Sequence, residues 1–280
     1  MRKVWMAPVC LAGLALLGGC GESMRAQTAR AIDSVQSIDQ ENMAEMMLAV
    51  SDPNEAIQYF SQQSEQHPDR IIFRRGLARS LMRAGQAEQS IPVWQAVIAH
   101  PDATMDDRVD LAEAYIRNND WTQAEATLNA IPPTHETYNR YRLEAMVADS
   151  RHQWERADSF YEIAVGLTPT PASTLNNWGF SKLTRGDARG AERLFLEALQ
   201  HDRSLFTAKN NLVLARAARR VYELPLIEMT QTERAELLYT MALAAIRQGD
   251  IGIGRGLLQD AVATHPQHFE AAANALAALG

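Results

Sequence analysis

The chain has 280 residues, 46% of them hydrophobic and 22% charged, which is the composition of a globular protein long enough to bury a large core. Its formal net charge is −7 at pH 7, and the sequence shows no basic stripe of the kind that nucleic-acid-binding proteins carry. Alanine and leucine are abundant, glycine and proline are few, and runs of β-branched residues are scarce, so the composition favours an all-α fold.

The first twenty residues have the pattern of a lipoprotein signal peptide. A positively charged start precedes an apolar stretch over residues 4–17, which is too short to span a bilayer comfortably. The next residues, Leu17–Cys20 (LGGC), resemble a bacterial lipobox. This resemblance implies cleavage after Gly19 and lipid attachment at Cys20. The alternative is an ordinary secretory signal with an incidental cysteine.

Lipidation at Cys20 also agrees with the cysteine content. The other cysteine, Cys10, would leave with the signal peptide, so the mature chain would expose no thiol to an oxidising periplasm. Two or more acyl chains anchor a protein stably in a membrane. Gly21, the residue after the lipidated cysteine, favours location in the outer over the inner membrane, because lipoproteins retained in the inner membrane often have aspartate there. We therefore expect a signal peptide over residues 1–19 and a lipidated cysteine with a polar tether, or the start of a first helix, over residues 20–37. The expected location is the periplasmic face of the outer membrane.

The rest of the chain is organised around residues 175–199, which are typical of two short amphipathic helices joined by a turn at Gly186. Small residues recur in both helices of four such units at steps of 34, 33 and 34, and a large residue follows the second small one by four positions. The first-helix positions are Ala78, Ala112, Ala145 and Gly179; the second-helix positions are Ser90, Ala124, Ala157 and Ala191; the large residues are Trp94, Leu128, Tyr161 and Phe195.

This pattern resembles the tetratricopeptide repeat (TPR), whose period is about 34 residues. The resemblance implies an all-α solenoid over residues 38–280, a right-handed superhelix of antiparallel helix pairs with about six to seven repeats. We expect a degenerate first repeat rich in methionine, an irregular second half of repeat six at residues 219–230, where Pro225 forbids a continuous helix, and a capping helix at residues 269–279. The irregular segment is either a functional loop or simple decay.

No catalytic or metal-binding constellation is visible in the sequence. It lacks a phosphate-binding loop, a GxSxG elbow, an HExxH motif and a cysteine pair, and its histidines are dispersed. The acidic residues Asp106, Asp107 and Asp110 are better placed for the N-terminus of a helix than for a metal. We therefore expect a non-enzymatic protein that uses no cofactor, metal, nucleic acid or small-molecule substrate and binds a protein partner.

In a solenoid of this kind the first helices line a concave groove. Arg75, Arg79 and Arg83 follow one helix face, where they suit an acidic peptide or simply form a solvated face. Asn176-Asn177 and Asn210-Asn211 recur after 34 residues, a spacing at which amides hydrogen-bond an extended peptide, although asparagine here can instead brace helix packing. The predicted groove residues are Arg75, Arg79, Arg142, Asn176, Asn177, Phe180, Asn210, Asn211, Leu214 and Tyr239.

A lipobox followed by TPR units is typical of outer-membrane lipoproteins that assist secretins and pili. Residues 229–272, beginning MTQTERAELLYTMALAAIRQGD, and the NNLVLARAARR segment before them resemble the TadD family of tight-adherence (Tad/Flp) pilus systems. This resemblance implies a scaffold that binds a pilus secretin or its periplasmic partner and aids its assembly or localisation. The alternative is a TPR lipoprotein that serves another envelope machine, such as a scaffold for cell-wall hydrolases or for outer-membrane assembly.

Overall fold

The computed structural model describes residues 41–280, so the predicted signal peptide, Cys20, the whole tether and the first three residues of the predicted solenoid lie outside the described residues. Residues 41–280 form helices joined by turns and contain no β-strand, which confirms the predicted all-α fold. The helices are α1 (41–50), α2 (Pro53–Gln66), α3 (Ile71–Arg83), α4 (Ala87–Ile98), α5 (Met105–Arg117), α6 (Trp121–Asn129), α7 (Tyr138–Ser150), α8 (Trp154–Gly166), α9 (Ala172–Thr184), α10 (Ala188–His201), α11 (Phe206–Ala218), α12 (Gln231–Arg247), α13 (Ile251–Thr264) and α14 (Glu270–Ala277).

Consecutive helices pack in pairs, with α3 against α4, α7 against α8, α9 against α10 and α12 against α13. The chain divides into two compact units, one that ends at Asp107 and one that spans Arg108–Gly280. Helices α1–α4 belong to the first unit and α6–α14 to the second.

The turns that follow α3, α5, α7, α9 and α12 share one geometry. One residue takes a positive φ, and the residue after it donates its N–H to the carbonyl five positions back, over 2.8–2.9 Å. This is the Schellman ending of a helix, which glycine adopts without a steric penalty and asparagine tolerates. The positive-φ residues are Gly85, Asn119, His152, Gly186 and Gly249, with φ between 57° and 90°.

The repeated small residues lie where paired helices touch. All of them are buried, and so are the large residues that follow them in the second helices. The closest approach in repeat five is between Gly179 and Phe195: a Cβ on Gly179 would lie 2.6 Å from Cε1 of the Phe195 ring. The spacing also extends backwards, because Ala44 and Ala56 precede Ala78 and Ser90 by 34 residues each and are buried as well. Helices α1 and α2 therefore form a first repeat.

In that first repeat, part of the methionine-rich surface of α1 is exposed. Ala44, Ala56, Phe60 and Phe73 form its core, and Met47 packs against this core. The other methionines of α1 are exposed, Met43 to 43% and Met46 to 50% of their surface. Methionine is flexible enough to fill irregular space in such a packing.

Repeat six consists of a first helix without a helical partner. Helix α11 ends as α3, α5, α7, α9 and α12 do, with Arg220 at φ 59° and the Val221 N–H bonded to the Arg216 carbonyl. Residues 221–229 then run as an irregular segment, within which Pro225 is buried. Helix α12 begins after a capping box, in which the Thr230 hydroxyl accepts from the Glu233 N–H and the Glu233 carboxylate accepts from the Thr230 N–H.

The irregular segment covers part of the core that a second helix would otherwise cover. Tyr222, Leu224 and Met229 pack against the cluster that contains Leu237 and Met241. Ile227 packs against the neighbouring cluster around Phe195 and Leu212. At the end of the chain, α14 places the buried Ala272 against the α12–α13 cluster. This helix begins one residue later and ends two residues earlier than the sequence predicts.

Candidate partner-binding face

The predicted arginine row of α3, formed by Arg75, Arg79 and Arg83, contacts groups within the first unit. Arg75 donates from Nε and Nη2 to the two carboxylate oxygens of Asp107, both over 2.7 Å. Arg83 donates to the backbone carbonyls of Leu48 and Ser51, and the guanidinium of Arg79 lies 6.0 Å from the centre of the Trp94 ring. The row at i, i+4 and i+8 therefore connects α3 to its neighbours rather than forming a simply solvated face.

Asp107 is the buried partner in this network, with 2% of its side chain exposed. Burial acts to raise the pKa of its carboxyl, but the hydrogen bonds and charge of Arg75 and the hydrogen bonds from Thr104 outweigh burial and hold the pKa below its usual value. Asp107 is thus a carboxylate that accepts from Arg75 and from the Thr104 N–H at 2.7 Å.

Three of the four predicted asparagines bind other helices. The Asn211 amide nitrogen donates to the Asn176 amide oxygen over 3.0 Å, which joins α11 to α9. The Asn210 oxygen accepts from the Thr240 hydroxyl over 2.9 Å, which joins α11 to α12. Asn177 makes no side-chain hydrogen bond with another residue in the described part of the chain. The structure thus gives Asn176, Asn210 and Asn211 a packing role and leaves the Asn177 amide available.

The remaining predicted groove residues fall into two groups. Arg142 donates to Glu113 over 2.8 Å, and the Tyr239 ring contacts the Phe269 ring at a tilt of 59° with ring centres 5.4 Å apart. Leu214 lies half-buried on α11. Phe180 differs from these, because half of its surface is exposed although it is a large apolar side chain.

Phe180 lines a pocket on the face that α7 and α9 form in the second unit. The pocket has a volume of about 440 Å³ and a mostly apolar wall. Met146 and Ser150 contribute from α7, and Asn176, Asn177 and Thr184 contribute with Phe180 from α9. The end of the pocket is formed by residues at the start of the second helices and the turns before them, namely Trp121, His152 and Trp154.

Two acidic residues fix the helices around this pocket. Asp149 of α7 accepts from the Ser181 hydroxyl over 2.6 Å and from the Tyr161 hydroxyl over 2.8 Å, so it joins α7, α8 and α9. Burial raises the pKa of Asp149, and these two hydrogen bonds oppose that rise. Burial and the neighbouring Asp149 raise the pKa of Tyr161 well above its ordinary range, so this phenol stays protonated and keeps donating.

Asp158 joins α8 to α9 in a similar way. It accepts from the Trp178 ring N–H over 2.6 Å, from the Lys182 ammonium over 2.9 Å and from the Arg185 guanidinium over 2.6 Å. Burial opposes ionisation, but the donors, with Arg185 foremost, hold the pKa of Asp158 below its usual value. The Arg185 guanidinium also lies 5.7 Å from the centre of the Trp154 ring.

The sequence did not predict the two tryptophans of the pocket. Trp121 and Trp154 are 33 residues apart, and each is the first residue of its second helix. The recurrence of tryptophan after one repeat period, each time at the start of a helix, could therefore have predicted these two residues. In residues 41–280, no group of three or more His, Cys, Asp or Glu residues is arranged to hold a metal ion. No helix of that range has the length and apolar character needed to cross a bilayer.

Neither a protein-family model nor a curated protein sequence matches this chain. Solved structures do match it in fold. This chain is similar to a chain in the crystal structure of the APC/C hetero-tetramer Cut9-Hcn1, with a TM-score of 0.61 at 13% sequence identity. The similarity covers 84% of this chain and 48% of that chain. This chain therefore spans about half the length of that relative.

Two other matches cover nearly all of the relative. A TPR protein from Parabacteroides merdae has a TM-score of 0.57 at 10% identity, over 87% of this chain and 99% of that one. A thermophilic TPR protein from Thermus thermophilus has a TM-score of 0.54 at 14% identity, over 62% and 95%. At such identities the similarity shows the fold, which is that of a TPR solenoid.

Proposed function

We propose that this chain is a non-enzymatic scaffold that binds an extended segment of a protein partner on the α7–α9 face, with a large apolar side chain of that segment in the Phe180 pocket. The half-exposed Phe180 carries this proposal. Exposed aromatic side chains in a concave apolar site with a few polar groups are typical of binding pockets. TPR arrays present such faces to protein partners.

The lining of the pocket fits a peptide segment better than a charged small molecule. Met146, Trp154 and Phe180 offer an apolar, adaptable wall. Both carboxylate oxygens of Asp149 are already bonded to helix neighbours. The Asn177 amide lies beside the pocket with its hydrogen-bonding groups available, so it suits the backbone of an extended chain.

Site-specific photo-crosslinking in the intact envelope tests this site. A benzoylphenylalanine in place of Phe180 is expected to crosslink one defined protein. The same group in place of Ile163 serves as the matched control, because Ile163 is exposed to 41% of its surface on α8 and lies outside the pocket. Equal crosslinking at both positions, or at neither, would count against the pocket as the binding site.

Affinity gives a second readout for the same residue. Burying a whole phenylalanine side chain contributes about 1.5–3 kcal/mol. Half of Phe180 is already covered in the free chain, so the partner gains roughly 1 kcal/mol from the exposed half, or about fivefold in Kd. Phe180→Ser is expected to weaken binding of the crosslinked partner by at least this factor, and Ile163→Ser is expected to leave it unchanged.

We further propose that the scaffold is lipid-anchored at Cys20 on the periplasmic face of the outer membrane and serves a Tad/Flp pilus system. The Leu17–Cys20 lipobox and the resemblance of residues 229–272 to the TadD family support this. Crosslinking from position 180 to a pilus secretin or its periplasmic partner is the expected result. Crosslinking to a cell-wall hydrolase or an outer-membrane assembly factor would instead support the alternative envelope machine.

A further inference from the structure

Repeat six leaves one side of α10 without the helix that a regular array would place there. Helix α11 ends in the same left-handed turn as α3, α5, α7, α9 and α12, at Arg220, but residues 221–229 that follow are irregular. In a complete repeat the second helix would lie beside α10. The structure instead has a groove there, with a volume of about 440 Å³, between α10, the start of α11 and residues 226–228.

Apolar and polar residues line this groove in equal number, and the polar ones include Arg203, Lys209 and Glu228, each of which forms an ion pair. Leu196 and Leu199 contribute from α10, and Leu226 and Ile227 contribute from the irregular segment. Leu226 is fully exposed, and Leu196 is exposed to 38% of its surface. Two exposed leucines beside an open groove are an unsatisfied apolar surface of the kind that marks an interaction site.

An exposed ridge beside the groove carries three arginines. Arg189, Arg193, Leu196 and Gln200 of α10 and Arg203 just after it follow one another at steps of four, three, four and three residues, and all are exposed. Arg189 and Arg193 make no ion pair with any other residue in the range that the structure describes.

Several acidic residues near this ridge are already bonded to other groups. Glu192 is occupied by Arg216 and Arg219, and Glu228 pairs with Arg203. Glu197 also borders the ridge, and Asp187 and Asp202 at the two ends of α10 accept from the N–H groups of Gly190 and Ser204. Arg189 and Arg193 are therefore the two ridge cations without an ion-pair partner in the described residues, in a chain whose net charge is −7.

We propose that this groove binds an amphipathic, acidic α-helix of a partner protein, which takes the place of the second helix that repeat six lacks. The apolar face of that helix packs on Leu196 and Leu226, and its carboxylates face Arg189 and Arg193. Helix α10 has 14 residues, so an occupant that matches it is about 21 Å long. This inference does not rest on the Phe180 pocket, since it concerns a different surface of the same unit.

Defined peptides test the proposal on the full-length protein held in phosphatidylcholine vesicles. The probe is a fluorescent peptide as long as α10, 14 residues, with leucine at every third or fourth position and glutamate elsewhere. One comparison peptide has lysine in place of glutamate, and another has a central proline that breaks the helix. Fluorescence anisotropy, corrected for empty vesicles, is expected to show binding of the acidic helix and at least about tenfold weaker binding of both comparison peptides.

Variants then locate the binding surface. Leu226→Ser alters a fully exposed side chain, so it should fold normally. We expect it to raise the Kd of the acidic peptide about tenfold. Arg193→Glu should weaken the acidic peptide and strengthen the lysine peptide, whereas Ile163→Ser on α8 should change neither. Equal binding of the acidic and lysine peptides, or full binding by Leu226→Ser, would overturn the proposal.

A lipid surface is the other possible occupant, and a fluorophore at position 226 separates the two. Leu226→Cys labelled with an environment-sensitive dye should respond to the acidic peptide and not to added phosphatidylglycerol. A response to phosphatidylglycerol alone would identify the surface as a lipid contact and refute the helix-binding proposal.

Discussion

Replacing Gly179 by alanine tests how closely α9 and α10 must approach. The added Cβ would lie 2.6 Å from Cε1, 2.8 Å from Cδ1 and 3.1 Å from Cζ of Phe195. Two carbon atoms attract each other best at about 3.5–4.0 Å. Phe195 is fully buried, so its ring has no space on the solvent side into which it can turn. The two helices would therefore have to separate.

Two effects of the substitution oppose each other. Alanine is about 1 kcal/mol more favourable than glycine inside a helix, whereas overpacking a close-packed core costs about 1–3 kcal/mol. Gly256 of α13 is the matched control, because a Cβ there would meet nothing within 4 Å. We expect Gly256→Ala to gain up to about 1 kcal/mol of unfolding free energy and Gly179→Ala to lie about 1–3 kcal/mol below it.

Urea unfolding of the full-length protein, followed by far-ultraviolet circular dichroism and tryptophan fluorescence, measures this difference. Thermal midpoints should differ by roughly 2–4 °C for each kcal/mol. Gly179→Ala should cost less unfolding free energy in a Phe195→Leu background than in the unmodified chain, because leucine leaves more room for the added methyl group. If Gly179→Ala and Gly256→Ala raised the unfolding free energy by the same amount, this result would contradict the close approach of α9 and α10.

Three further predictions concern other parts of the chain. Ala157→Leu should destabilise the α7–α8 pair by about 1–3 kcal/mol, and an unchanged urea midpoint would contradict the assigned phase of the repeat. Asp107, whose folded pKa lies below its usual value of 3.8, stabilises the fold above that pH and loses this contribution as the pH falls through the folded pKa. The Asp107→Asn variant should therefore have an unfolding free energy about 2 kcal/mol lower at neutral pH, and this free energy should fall less steeply as the pH is lowered than in the unmodified chain. An unchanged pH dependence would show that the Asp107–Arg75 pair does not cause the loss of stability in acid. Cys20→Ala should abolish palmitate labelling and membrane fractionation, whereas continued membrane association would refute the lipid anchor.

The fold could be predicted because its determinants are local. Gly186 and Pro225 act on their own backbone, and small residues at a fixed period mark helix contacts without any knowledge of the partner. The predicted helix ends, turns and helix pairs follow from such short-range rules. The expected irregular segment in repeat six could likewise be predicted from one proline, Pro225, which forbids a continuous helix.

The candidate site could be predicted only in part because its determinants are non-local. The arginine row of α3 was visible, but its partners Asp107 and Ser51 lie 32 residues away in opposite directions. Asn176 and Asn211 looked like repeated peptide ligands, yet they bond to each other. Phe180 was predicted as a groove residue, and half of its surface is exposed in the structure. Trp154 lines the same pocket, next to the turn at His152, which the repeat pattern does not connect with Phe180.

The carboxylates of Asp149 and Asp158 have a consequence for the kinetics of partner binding. Between them they accept hydrogen bonds from Ser181, Trp178 and Arg185, all donated from α9 or its C-terminal end. The walls of the Phe180 pocket therefore keep their spacing before any partner arrives, and little side-chain entropy is lost on complex formation. Loosening these bonds should chiefly shorten the lifetime of the complex, since related interfaces differ mostly in dissociation rate.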